Sequence, residues 1–296
     1  MRFLKFFLCI CLLLFVAGST LGDESIEREE ELYQDMLNLH RSDSGRYLIW
    51  HECGKRVKDQ EGRADQYTKA ILASIDDVGR KTGVYVDPKI VRAILFRESS
   101  DNECSIGKQE INWLSENLGH APDKDDVIKH VKKWKGAYSE AKKYCRGKGT
   151  DTTECRRDHV RKNNSHYLGI KGWDIGAAQY RWPTRALSNR SVITPFGKVV
   201  TKIELEHLMD YEVIIHMLVE DLAKNYTFCK ENHKHAIHSK WGFHVRYLEP
   251  EEGYWAHHHV GRHRWSEKYY NHIQRHLKRM VKMKSISSGK LAVSTR

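Results

Sequence analysis

Apolar residues return at three- and four-residue spacings along most of this chain, while strict alternation is scarce, so helices packed by one greasy stripe must dominate its fold. The clearest case runs from Gly62 to Gly83, where Tyr67, Ile71, Ile75 and Val78 fall on one side of a helix. Asp87-Pro88 reads as a helix start, an N-cap aspartate followed by proline at the first position. Thr201 with Glu204 reads as a capping box opening a long helix that aligns Leu205, Leu208, Ile215, Leu218 and Leu222. Ser266 would cap a last helix carrying Tyr269, Ile273, Leu277 and Met280, and the polar stretch from 285 to 296 reads as a frayed tail. With 5 Pro and 20 Gly in 296 residues, and no run of either, nothing divides the chain by a linker. The expectation is mainly α: one helical domain over 84–284, preceded by extra N-terminal helices in 23–83, with no reason to expect more than a monomer.

The first 22 residues stand apart. Arg2 and Lys5 precede a continuous apolar run, Phe6–Val16, and the small residues Ala17-Gly18-Ser19. That order is the order of a secretory signal peptide, and the apolar run is too short for a membrane span. The rest of the chain is then expected in a secreted or periplasmic, oxidising setting, where cysteines pair. Beyond Cys9 and Cys11 of the signal, five remain: Cys53, Cys104, Cys145, Cys155 and Cys229. Cys145 and Cys155 close a short polar loop and are the preferred pair; the other three leave their partners open.

Formal charge is +11, and the excess is concentrated. Lys129–Lys162 holds twelve Lys and Arg against four acids, a net of +8. Val127, Ile128, Val131, Trp134, Tyr138 and Ala141 give the first half of that stretch an apolar stripe, which makes it a basic amphipathic helix. Two readings are open: a solvated helix face, or contact with an anionic polymer or membrane surface. Nucleic acid is not expected, because secretion would separate the chain from it and no nucleic-acid-binding pattern is present.

On the helix opened by Asp87-Pro88, the apolar residues are Ile90, Val91, Ile94 and Leu95, and Glu98 continues their stripe. A carboxylate that loses hydration there rises toward neutrality, as a general acid must, and the adjacent Ser99 could orient it. Position alone leaves open a frayed helix end with Glu98 in solvent. Further on, Gly172-Trp-Asp-Ile-Gly-Ala-Ala-Gln-Tyr-Arg-Trp-Pro-Thr184 is short in side chains and then aromatic. Small residues admit a ligand close to the backbone, and Gln179 with Trp173 and Trp182 suits the hydroxyls and faces of a sugar.

These two segments together resemble the soluble lytic transglycosylase and lysozyme superfamily. Glu98-Ser99 matches its catalytic Glu-Ser, Gly176 to Gln179 match its Gly-Leu-Met-Gln loop, and Thr184 matches the threonine ending that loop. Trp255–Arg262 resembles its Ala-Tyr-Asn-Ala-Gly-Pro-Gly-Arg element, with His257 at the Asn position. Tyr269 with Ile273 looks like the opening of its final helix, whose tyrosine the family sets against the catalytic glutamate. The chain departs from the pattern in two places. Ser100–His166 is inserted between the acid and the loop, and Ala177-Ala178 replace the bulky Leu-Met.

The resemblance implies a lysozyme-like fold and cleavage of the β-1,4 bond between N-acetylmuramic acid and N-acetylglucosamine in peptidoglycan. Glu98 would be the acid, with Ser99, Gly176, Gln179, Thr184, His257 and Tyr269 lining the substrate groove. It implies no cofactor and no metal. Two endings are open. In a lytic transglycosylase the muramoyl 6-hydroxyl closes a 1,6-anhydro ring with no second acid; in a lysozyme a second carboxylate assists water. Asp174 is the candidate second carboxylate, because animal-type lysozymes carry theirs at that offset; some secretion-associated transglycosylases share the aspartate, so it does not decide between the endings. Ten of the 18 His lie between His233 and His276, but without metal-binding spacing they read as groove or surface residues. The competing reading is a non-catalytic basic protein that binds wall or another anionic polymer.

Overall fold

The computed structural model describes residues 29–41, 51–53, 55–100, 103–106, 108–163, 173–182, 184–232, 238–239, 242–245, 253–257 and 268–279. The expected signal peptide and polar tail, Ser266 and half of the clustered histidines (His233, His235, His258, His259 and His263) lie outside these residues. Among the described residues the fold is mainly α, with nine helices and four two-stranded antiparallel sheets: β1 (His51–Glu52) with β2 (Lys55–Arg56), β3 (Trp173–Ile175) with β4 (Tyr180–Trp182), β5 (Val192–Ile193) with β6 (Val199–Val200), and β7 (His238–Ser239) with β8 (Gly242–Val245). The helices are α1 (29–39), α2 (Gln60–Thr82), α3 (Pro88–Ser99), α4 (Lys108–Leu118), α5 (Lys124–Gly147), α6 (Thr153–Asn163), α7 (Arg185–Ser188), α8 (Tyr211–Asn232) and α9 (268–279). No described helix is long and apolar enough to cross a membrane.

The centre of the molecule is α8. Val213, Ile214, Ile215, Met217, Leu218, Val219 and Leu222 are all fully buried, so this helix is apolar around most of its circumference and other elements must wrap it. α2 lies along it with Tyr67, Ile71, Ile75 and Val78 buried, the stripe expected from their spacing. α3 joins the same core through Ile90, Val91, Ile94 and Leu95. Its start is as expected: the Asp87 carboxylate accepts from the Lys89 amide at 2.8 Å, with Pro88 in the first turn.

The start of α8 is a correction. The Thr201–Glu204 capping box does not form; Thr201 is exposed, and Leu205 and Leu208 instead belong to a loop and 3-10 turn (Glu206–Met209). Asp210 then takes an extended backbone, and its carboxylate accepts from the amides of Glu212 and Val213 at 3.1 and 3.4 Å. Lys198 holds the other carboxylate oxygen of Asp210 at 2.6 Å, so a loop lysine distant in sequence fixes the helix start. Leu205 and Leu208 are buried all the same.

α5 and α6 form a helical hairpin. Val127, Val131, Trp134 and Ala141 bury the expected apolar stripe of α5, and a complete capping box between Asp123 and Asp126 opens it. Cys145 and Cys155 are disulfide-bonded, as their spacing suggested, and so tie the end of α5 to α6. A second disulfide joins Cys53 to Cys104, a pairing the sequence left open. Cys229 keeps a buried thiol, which burial pushes up to about 11 and so away from reactivity. Two disulfides suit an oxidising compartment.

Candidate functional site

Glu98 and Ser99 form the last turn of α3, where Ser100 ends the helix in a left-handed conformation (φ 55°). Both side chains are half-buried. The Ser99 hydroxyl donates to the Ala177 carbonyl at 2.9 Å and thereby joins the end of α3 to the Gly176–Gln179 turn. On another side, Tyr269 of α9 faces Glu98. Burial, and next the negative charge of Glu98 beside it, hold the Tyr269 phenol well above its usual range. α9 is pressed on α3 by further contacts: Arg97 Nε donates to His272 Nδ1 at 3.0 Å, and Phe96 meets His276 edge to face.

The Gly176–Gln179 turn is the tip of a hairpin between β3 (Trp173–Ile175) and β4 (Tyr180–Trp182). Gly176 has φ 78°, and a side chain there would run into the Leu208 carbonyl. Its amide donates to the Ser105 carbonyl at 3.0 Å. Gln179 is also left-handed, at φ 54°, and its side-chain amide donates to the carbonyls of Gly176 (2.8 Å) and Ser105 (3.3 Å). The amide nitrogen thus secures the turn, and the side-chain oxygen is the end available to a ligand. Ala177 and Ala178 are buried, so their small side chains let the turn tuck under α3.

Asp174 and Arg181 face each other across this hairpin. Both carboxylate oxygens of Asp174 accept from Arg181 at 2.9 Å, and both side chains are substantially exposed. Thr184 caps α7, its hydroxyl accepting from the Leu187 amide at 3.3 Å. His257 ends a 3-10 turn (Tyr254–His257) that is anchored at the opposite end of α3 from Glu98. There the Tyr254 hydroxyl accepts from the Asp87 amide at 3.3 Å, and Trp255 stacks on Tyr270. A cavity of about 440 Å³ lies at that same end, lined by Tyr85, Ile90, Tyr226, Tyr254, Trp255 and Leu277. Of the expected site residues, the structure therefore gathers Glu98, Ser99, Gly176, Gln179 and Tyr269. Asp174 stands on the same hairpin, paired to Arg181, while Thr184 follows the hairpin and His257 starts from elsewhere.

Two supports of this site were not read from the sequence. The short segment 103–106 lies under the turn and supplies the Ser105 carbonyl. It is pinned by the Cys53–Cys104 disulfide and by Glu103, buried against Arg63 and accepting from the Tyr67 hydroxyl at 3.1 Å. On the far side, Tyr180 donates to Asp221 of α8 at 2.6 Å, and Arg190 reaches both Asp221 (2.9 Å) and Glu220 (2.6 Å). Asp174 and Arg181, equidistant from the turn, are one of the three facing pairs that hairpin register reveals.

Among the described residues no three His, Cys, Asp or Glu side chains converge as metal ligands. The fold and site thus define a mainly helical protein, stapled by two disulfides, with an acid and hydroxyl at one helix end braced by a glycine turn. No family model, no curated protein and no solved structure matches the chain.

Proposed function

We propose that this chain is a secreted muramidase with a lysozyme-like helical domain, cleaving the β-1,4 MurNAc–GlcNAc bond of peptidoglycan with Glu98 as general acid. The observation that carries the reading is the Ser99–Ala177 hydrogen bond, which joins two segments far apart in sequence into one half-buried site around Glu98. Glu98 protonates the bridging oxygen as positive charge develops on the sugar ring. Tyr269, whose phenol stays protonated, faces Glu98 and orients it. Gly176, packed on the Leu208 carbonyl, lets the turn close beneath α3, and the Gln179 oxygen supplies a polar contact to the glycan. The chemistry needs no metal or cofactor.

The pairing of Asp174 favours one ending. Both its oxygens are held by Arg181 on an exposed hairpin, so it is poorly disposed to act as a nucleophile. The reading that follows is a lytic transglycosylase, in which Glu98, having given up its proton, serves as base for the muramoyl 6-hydroxyl. Digestion of purified peptidoglycan with analysis of the new sugar ends tests both steps. Anhydro ends are expected, with reducing ends marking a lysozyme instead. Glu98→Gln should abolish product formation while circular dichroism is unchanged, and Asp174→Asn should keep most of the activity. Wild-type cleavage by the Glu98 variant would remove the assignment, and absence of product from the native protein would favour a non-catalytic wall binder.

A further inference from the structure

The α5–α6 hairpin carries charge that the candidate site does not use. Lys129, Lys133 and Lys143 are exposed on the side of α5 opposite its buried stripe, and that side spans about 21 Å from the first to the last. Gly136, midway along it, has no neighbouring atom within 4 Å of where a side chain would stand, so nothing covers this face there. Glu140 is the one acid interrupting it. Lys132 and Arg146, at its edges, are spent on Glu206 and Asp151. The hairpin also touches the candidate site, since the Lys135 ammonium sits 4.6 Å over the ring of Trp182, at the end of β4.

Which partner this face suits follows from where the apolar stripe has gone. An amphipathic helix that enters a membrane surface needs its apolar side free to sink among acyl chains. Here Val127, Val131, Trp134, Ala141 and Cys145 are committed to the protein core, so only the lysine side is presented. Lysine is a compact point charge with no preferred plane, suited to phosphate groups met in any orientation, whereas planar bidentate pairing is the habit of arginine. The Cys145–Cys155 bond staples this same hairpin, and such bonds belong to an oxidising compartment, away from intracellular nucleic acid.

We propose that the outer face of α5 is a docking surface for a linear polyol-phosphate polymer attached to the cell wall, holding the protein beside its glycan substrate. The proposal rests on the wall-cleaving reading for the identity of the polymer, but its test does not use cleavage. A fluorescently labelled poly(glycerol phosphate) is titrated with the Glu98→Gln protein, by anisotropy, between 50 and 200 mM salt. Binding is expected to weaken steadily with salt as counterions are released. The triple variant Lys129→Glu/Lys133→Glu/Lys143→Glu, which touches no buried group, should bind at least tenfold more weakly at 100 mM salt. On glycan stripped of anionic polymer, the same triple change in the native background should leave cleavage unaltered. Unchanged polymer affinity in the triple variant would overturn the proposal. So would equal or tighter binding to vesicles of equal parts phosphatidylglycerol and phosphatidylcholine, or a base-sequence preference on duplex DNA. Loss of cleavage by Glu98→Gln concerns the reaction alone, and loss of polymer binding by the triple variant concerns the docking face alone.

Discussion

Gly176 lies in the left-handed region, and the atom a side chain would strike is a backbone oxygen, that of Leu208, which has no rotamer to move out of the way. Gly176→Ala therefore incurs both the conformational penalty and a steric one, together about 2–3 kcal/mol. Chemical denaturation should register that loss, and a variant within 0.5 kcal/mol of the native protein (~ a neutral surface change) would show that the turn is not built as described. Three residues on, Gln179 is left-handed without being glycine, and its side-chain bonds to two carbonyls offset the cost of that backbone. Ser99→Ala is the milder probe. The serine hydroxyl meets Leu95 O at 3.3 Å within its helix and Ala177 O at 2.9 Å outside it, so its removal leaves α3 formed and frees the turn, at about 1 kcal/mol. Much of this scale was legible in the sequence, because a glycine, a glutamine and a Glu-Ser pair are conspicuous as residue types. What each bonds to was not, since Ser105 offers only its backbone carbonyl, and every residue has one.

Between elements, the tie from the hairpin to α8 decides how firmly the turn is held. Burial pushes the Glu220 carboxyl up, but the neighbouring His216, the hydrogen bond from Arg190 and the charges of Arg190 and Lys224 outweigh it and hold Glu220 at about 2. Its folded value is thus below the unfolded one of about 4.3, so this group stabilises the fold above that pH and ceases to as pH falls toward 2. Unfolding free energy followed from pH 5 to pH 2 should drop by on the order of 2–3 kcal/mol from this carboxylate. Arg190→Gln takes from Glu220 and Asp221 the cation they share, leaving Lys224 at 3.8 Å from Glu220 alone, which costs about 3–5 kcal/mol at neutral pH and flattens the acid-side loss. A variant whose acid profile kept its native slope would show that Arg190 does not set it. Nothing in the sequence marked this tie: residues 180, 190 and 220–221 come together only when the hairpin lies against α8. The stripes of α2 and α5 and the Asp87 cap were legible because their partners are three or four residues away. The start of α8 was misread for the same reason inverted. Thr201 and Glu204 have the local spacing of a box, but Lys198 and Asp210 outcompete it through contacts that spacing does not encode.

At the scale of the molecule, the two disulfides do different work. Cys145–Cys155 spans a separation of 10 residues within one helical hairpin, whereas Cys53–Cys104 spans 51 and joins the N-terminal hairpin region to the segment beneath the Gly176 turn. Chain entropy alone makes the longer crosslink worth about 4 kcal/mol against about 3 for the shorter. The larger contrast is functional. Segment 103–106 carries the Ser105 carbonyl that receives both Gly176 and Gln179, so freeing it loosens the turn that braces Glu98 through Ser99. The Cys145–Cys155 bond touches no part of that chain of contacts. On the proposed muramidase reading, Cys53→Ser/Cys104→Ser should therefore lose most peptidoglycan cleavage under conditions where circular dichroism still reports a folded helical protein. Cys145→Ser/Cys155→Ser, compared at equal folded fraction, should retain its cleavage and lose only thermal stability. Equal activity in the two double variants would mean that the turn is held without its disulfide-pinned floor. Buried Glu103 with Arg63 and Tyr67 would then have to hold the segment unaided.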